Sequence, residues 1–180
     1  MKLGKFVIPN PFGPMEEPRF TAYLMKTWKE GKPAAVKTPD YVRDNIHVDL
    51  LAATYSDFVD QLVAASSEKS SPSPPLGVTV PGGSPSPPLE ERAGERRPLT
   101  CHNQLLRCNP SGYIESQGAF ALRVAREVKA RTNWACEVEL GTQTDFTEPL
   151  VRINSEPATR LVHGWSEAKA WDAFVKYYRR

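Results

Sequence analysis

Histidine, methionine and cysteine are scarce, with three of each in 180 residues. The cysteines, Cys101, Cys108 and Cys136, are odd in number and form no C-x-x-C pair, which argues against a zinc framework or a disulfide scaffold and for a reducing compartment. No second histidine or cysteine lies at metal spacing from His47, so His47 reads as a structural residue and no metal site is expected. Neither charge dominates: 23 basic against 21 acidic residues give a net charge of +2. The Lys and Arg residues are dispersed, so there is no electrostatic footprint for nucleic acid. No apolar run approaches the ~20 residues of a membrane span, and nothing reads as a secretory signal. The expectation is a soluble, cytoplasmic protein that binds neither nucleic acid nor membrane.

What is present begins with Phe6, Val7 and Ile8, three β-formers that run into Pro9 and read as the end of a buried strand. Asn10 then stands where ligands bind in open α/β sheets, at the carboxyl end of a strand. Pro11, Gly13 and Pro14 are turn residues. Such a turn leaves the Asn10 amide free to donate and accept hydrogen bonds to a ligand, or lets it cap its own backbone.

Downstream, Phe20, Leu24 and Trp28 recur at four-residue spacing in a helix from Arg19 to Glu30, with Pro18 suited to its first position and Gly31 to its end. A short strand is expected at Ala34 to Lys37. Leu51, Tyr55, Phe58, Val59 and Leu62 outline a second helix, with Asp49 as its cap. Residues 66–98 are of another kind: SPSPPL occurs at Ser71 and again at Ser84, and a charged run follows. Such composition cannot build a core, and it reads as a disordered insertion in a loop, with a polyproline ligand as the functional alternative. Structure is expected to resume at Gln104 to Cys108, a strand that ends in the turn Asn109 to Tyr113. Ser116 caps a helix carrying Ala121, Val124, Ala125 and Val128. Trp134 to Leu140 alternates like a strand, Ser155 and Pro157 open a short helix ended by Gly164, and Ser166 caps the last helix, with Ala170, Trp171, Phe174 and Tyr178 on one side.

Two motifs carry a resemblance. Asn10-Pro11-Phe12-Gly13-Pro14 resembles the N-x-Y-G-P turn of the extended short-chain dehydrogenase/reductases, the NAD-dependent sugar-nucleotide epimerase/dehydratase family. Val42-Arg43-Asp44-Asn45-Ile46-His47-Val48-Asp49-Leu50-Leu51-Ala52 resembles that family's V-R-D-x-I-H-V-x-D-L-A segment. The likeness covers residues 1 to 65 closely and 105 to 180 more loosely, and only the second half of such an enzyme. Phe12 stands where many relatives have Tyr, and Val7 where many have Arg. No Gly-rich βα turn and no Tyr-x-x-x-Lys pair occurs in the chain, so the family's cofactor motif and proton-transfer residues have no counterpart here.

The resemblance implies an α/β fold, a partial Rossmann-type portion from the C-terminal end of the enzyme. Residues 1–65 would hold the last Rossmann strand, the substrate turn and helices, 66–98 the insertion, and 99–180 a substrate-binding α/β portion. It implies a substrate-binding portion of an NAD(P)-dependent epimerase, dehydratase or reductase acting on a nucleotide sugar, with no catalytic residue of its own and no activity alone. The alternative is a noncatalytic remnant or interaction fragment that pairs with a separate cofactor-binding half or with a second copy. NAD or NADP is the implied cofactor, with the Ile8 backbone as its contact. Asn10, Arg19, Phe20, Arg43, Ser111 and Tyr113 are the implied substrate contacts. Arg43 has independent chemical support, because a guanidinium fork pairs two oxygens of a pyrophosphate. Its alternative is an ion pair with Asp44 or Asp49.

Overall fold

The computed structural model describes residues 3–67 and 105–180. The insertion expected at 66–98 lies outside these residues except for Ser66 and Ser67, which belong to a helix. The described architecture is mixed α/β. In chain order the elements are β1 (Gly4–Phe6), β2 (Asn10–Phe12), α1 (Phe20–Lys29), β3 (Ala34–Val36), β4 (Val42–His47) and α2 (Val48–Ser67). After residue 104 come β5 (Leu106–Cys108), β6 (Pro110–Ser111), β7 (Tyr113–Ser116), α3 (Gln117–Lys129), β8 (Val138–Leu140), β9 (Val151–Arg152), β10 (Glu156–Pro157), α4 (Ala158–Leu161) and α5 (Glu167–Tyr178).

Short parallel pairs join these strands: β1 with β5, β3 with β8, β10 with β6, and β2 and β9 each with β4. The antiparallel pair is β4 with β7, so β4 runs between β2 and β7 as the central strand. Parallel neighbours need a crossover, and α1 with β3 supplies it between β2 and β4.

Helices α1, α3 and α5 obey their apolar spacing, whereas in α2 the buried positions are Leu50, Thr54 and Phe58, and Tyr55 and Val59 of the expected stripe are exposed. In α1, Leu24, Met25 and Trp28 are buried. Gly31, at φ 72°, closes that helix in a Schellman arrangement, its N–H reaching Trp28 O while Lys32 N–H reaches Thr27 O. Ser116 Oγ accepts from Ala119 N at 3.2 Å to cap α3, and Ser166 Oγ accepts from Lys169 N at 3.5 Å to cap α5. The apolar faces of α1, α3 and α5 meet around Phe12, which contacts the rings of Phe120, Trp171 and Phe174. A smaller cluster joins Ile46 and Leu50 to Ala158.

Several expectations are corrected. The apolar trio does not end a buried strand: β1 stops at Phe6, and Ile8 is 61 % exposed. Asn10 therefore opens its own strand, β2, and the turn comes later, at Gly13 (φ 141°) and Met15 (φ 65°). Pro11 is tolerated in β2 because that strand lies at the end of the β2-β4-β7 order, where a missing N–H leaves no ladder bond unmade. Pro18 precedes the N-cap of α1, which is Arg19. Asp49 does not cap α2: its own N–H donates to His47 Nδ1 at 3.2 Å, so the imidazole takes that role. The strand expected from Trp134 shrinks to β8, because Cys136 adopts a left-handed φ of 47° that breaks the extended run. Ser155 does not open α4 either. Glu156 and Pro157 are drawn into β10 opposite Pro110 and Ser111, and α4 starts after them with Pro157 at its N-cap.

Candidate functional site

Side-chain direction on the central strand builds the site. Alternate residues of a strand share a face, so Arg43, Asn45 and His47 look one way from β4 and Asp44 and Ile46 the other. The parallel register sets Asn10 against Asn45 and Phe12 against His47. Phe12 and His47 meet edge to face with centroids 5.4 Å apart, which fixes their shared face. A cavity of about 190 Å³ opens there, lined by Asn10, Pro11, Phe12, Arg19, Phe20, Thr21, Arg43, Asn45 and Gln117.

Four residues singled out from the sequence, Asn10, Arg19, Phe20 and Arg43, thus line one cavity although they come from distant stretches. Arg43 is the most constrained of them. Its Nη1 donates to the carbonyls of Val42, Pro149 and Leu150 at 3.0, 3.1 and 3.2 Å, and its Nη2 pairs with Glu148 Oε2 at 3.3 Å. The guanidinium also stacks 4.1 Å from the Tyr41 ring centroid. Its carboxylate partner is therefore Glu148, neither Asp44 nor Asp49. Arg19 sits at the rim, paired with exposed Glu17 at 2.7 Å.

The other sequence candidates lie elsewhere. Ser111 is buried in β6 beside β10. Tyr113 donates from its hydroxyl to Glu167 Oε1 at 2.5 Å, and burial together with that carboxylate raises its pKa. Ile8 lines a separate cleft of about 60 Å³ with Asn10, Asp44, Arg152 and Asn154. There Asp44 accepts from Gly112 N at 2.8 Å and Asn154 N at 3.1 Å, while burial raises its pKa against those bonds.

Asn45, Thr21 and Gln117 complete the cavity and were not singled out by sequence reasoning. The period of two that places Arg43 on a face also places Asn45, and Gln117 follows directly on the capping serine of α3. Behind Thr21, Glu16 accepts from Thr21 Oγ1 and from the Tyr178 hydroxyl, each at 2.5 Å. Burial raises the Glu16 pKa, opposed by those two donors. This clasp ties the cavity rim to α5.

Among the described residues the helices of ten residues or more open on Arg19, His47, Ser116 and Ser166, and none of these N-termini carries the G-x-G-x-x-G turn that lets a pyrophosphate approach bare N–H groups. Among the described residues no group of His, Cys, Asp or Glu could hold a metal ion, and no helix is long and apolar enough to cross a membrane.

No protein-family model matches the chain, and no curated protein matches its sequence. Among solved structures, the chain is similar to a UDP-glucuronic acid 4-epimerase from Bacillus cereus, crystallised with UDP-glucuronic acid and NAD, at 9 % identity and a TM-score of 0.48. The match covers 99 % of this chain and 45 % of that one, so the chain spans less than half the length of that enzyme. A likeness this distant assigns neither activity nor ligand to the chain.

Proposed function

We propose that this chain is the substrate-binding portion of an NAD(P)-dependent epimerase, dehydratase or reductase acting on a nucleotide-linked sugar, and that it has no dehydrogenase activity by itself. The observation that carries the reading is the convergence of Asn10, Arg19, Phe20 and Arg43 on one cavity. The cavity is smaller than the ~300 Å³ at which sites for drug-sized ligands begin, so it takes one part of such a ligand and leaves the rest across the rim. At that rim Arg19 and Arg43 carry the charges that a diphosphate needs. The Arg19–Glu17 pair is exposed on both sides, and exchanging such a pair, worth ~0–1 kcal/mol, for a charge-assisted fork on phosphate is favourable.

Calorimetric titration with NAD and with UDP-, GDP-, CDP- and dTDP-sugars tests the reading. Binding of a nucleotide sugar but not NAD, lost in Arg43→Ala, is the expected result. Binding of NAD alone, or of nothing, overturns it.

One observation favours a second reading, an interaction fragment that docks on a separate cofactor-binding half. Ile8 and Ile153, both well exposed, flank the same small cleft, with exposed Val151 nearby on the edge strand β9. Apolar side chains gathered at a strand edge are a feature of surfaces that receive a partner.

A further inference from the structure

We infer that Glu148 is an autoinhibitory carboxylate: it holds the anion-pairing edge of Arg43, and an anionic ligand at the cavity displaces it and loosens the segment that carries it. The inference rests on the nucleotide-sugar reading above and adds regulation to the same site. The segment is residues 142–150, between β8 and β9. All of it is exposed except Phe146, which is half-buried. Both ends are fastened by backbone bonds. At one end Gly141 N–H donates to the Val36 carbonyl at 2.8 Å and Gln143 N–H to that of Lys37 at 3.3 Å. At the other, Val42 N–H donates to the Leu150 carbonyl at 2.8 Å.

Between those ends Tyr41 and Arg43 hold the segment down. The Tyr41 ring meets Phe146 with centroids 4.8 Å apart, and its hydroxyl accepts from Glu148 N at 3.3 Å. The same ring covers one face of the Arg43 guanidinium. The donors of Arg43 are unevenly committed. Nη1 is engaged by the carbonyls of Val42, Pro149 and Leu150. Among the described residues Nη2 has Glu148 Oε2 as its partner, and Nε has none. The edge formed by Nε and Nη2 is the fork that pairs two oxygens of a phosphate, and the guanidinium it belongs to lines the cavity.

Glu148 is the partner that yields. Its contact is made by one oxygen at 3.3 Å, longer than the ~2.7–2.9 Å of a strong charge-assisted bond. Its side chain is 60 % exposed against 12 % for Arg43, so on release the carboxylate passes into water while the guanidinium stays where the carbonyls hold it. A phosphate and a carboxylate cannot share that edge, because like charges a few ångströms apart repel. Pro149 and Leu150 remain on Nη1 throughout, and Glu148 in leaving withdraws its N–H from the Tyr41 hydroxyl. The loosening is therefore confined to residues 144–148.

The test titrates inorganic pyrophosphate into the full chain by calorimetry, in the wild type, in Glu148→Gln and in Asp60→Asn, which removes one charge from an exposed position on α2. Glu148→Gln is expected to bind about three- to fivefold more tightly than the wild type, the scale of a solvent-exposed carboxylate contact, and Asp60→Asn no more tightly. Amide hydrogen exchange supplies a readout that the loss of one negative charge does not move. Pyrophosphate is expected to speed exchange at Phe146, Thr147 and Glu148 in the wild type, and to leave it unchanged in Glu148→Gln, where the ion pair is already absent. Equal affinity in the wild type and Glu148→Gln overturns the inference, as does a gain matched by Asp60→Asn. Exchange that pyrophosphate slows or leaves unchanged in the wild type overturns it as well. In each of those cases the nucleotide-sugar reading stands if a nucleotide sugar binds the wild type and not Arg43→Ala. Failure of pyrophosphate and of every nucleotide sugar to bind any variant overturns both.

Discussion

The imidazole of His47 meets the Phe12 ring edge to face, 5.4 Å between centroids, at the point where the two strands pair in register. The histidine is 2 % exposed, its Nδ1 accepts from Asp49 N, and its Nε2 has no hydrogen-bond partner, with the Ala170 carbonyl as the polar group facing it. Burial lowers its pKa from the ordinary 6.5, opposed by Asp49 and by that carbonyl. The folded protein thus holds the neutral form, and the unfolded chain takes up the proton first as the pH falls. Stability that depends on neutral His47 is intact above pH 6.5 and is lost as the pH drops from there through the depressed value. Urea unfolding at pH 7.5 and at pH 5 is expected to show lower stability at pH 5, with a smaller difference in His47→Gln.

Phe12 is the hub of the main core, in ring contact with Phe120, Trp171 and Phe174 as well as with His47. Truncation in Phe12→Ala removes those contacts and opens a void beside the cavity. The expected loss is about 3–5 kcal/mol, read from the shift in the urea midpoint.

Gly112, just before β7, packs against the backbone of β4. A Cβ there would stand 2.3 Å from the Asn45 carbonyl oxygen and 2.9 Å from Ile46 Cα, both backbone atoms that cannot rotate away. Gly112→Ala is expected to cost about 1–3 kcal/mol and to displace the strand that carries Asn45. Amide hydrogen exchange along β4 will report that displacement.

The Asp44 carboxylate accepts one backbone N–H on each oxygen, from Gly112 and from Asn154, and so ties β4 to two later segments. In Asp44→Asn one of those N–H groups faces an amide donor. The expected loss is about 1–3 kcal/mol by thermal or chemical unfolding, without loss of the secondary-structure signal.

Helical spacing and caps made much of this structure legible in advance. Leu24, Trp28, Val124, Val128, Trp171 and Phe174 are buried where their periodicity placed them, and Ser116 and Ser166 cap as expected. The strands were less legible. Strands of two or three residues carry almost no periodic signal, and their existence depends on partners far along the chain. Glu156 and Pro157 are extended because Pro110 and Ser111 lie beside them, which no local reading of Ser155 as a cap takes into account. The cavity shows the same division. Arg43 and Asn10 stood out for their chemistry, whereas Asn45 acquires its place only from a parallel register that sets it against Asn10. By sequence Ser111 and Tyr113 belong to a turn beside a ligand, yet β6 and β7 direct one into a buried pairing and the other to Glu167.

The pairing of β1 with β5, of β3 with β8 and of β4 with β7 and β9 joins segments before residue 68 to segments after residue 104. The two stretches complete one another's sheets and share one core, in which Phe12 and Trp28 from the first meet Phe120 and Trp171 from the second. Neither stretch carries a finished interior of its own. Severed from one another, the two would have to meet as separate molecules, and their joint stability would depend on concentration.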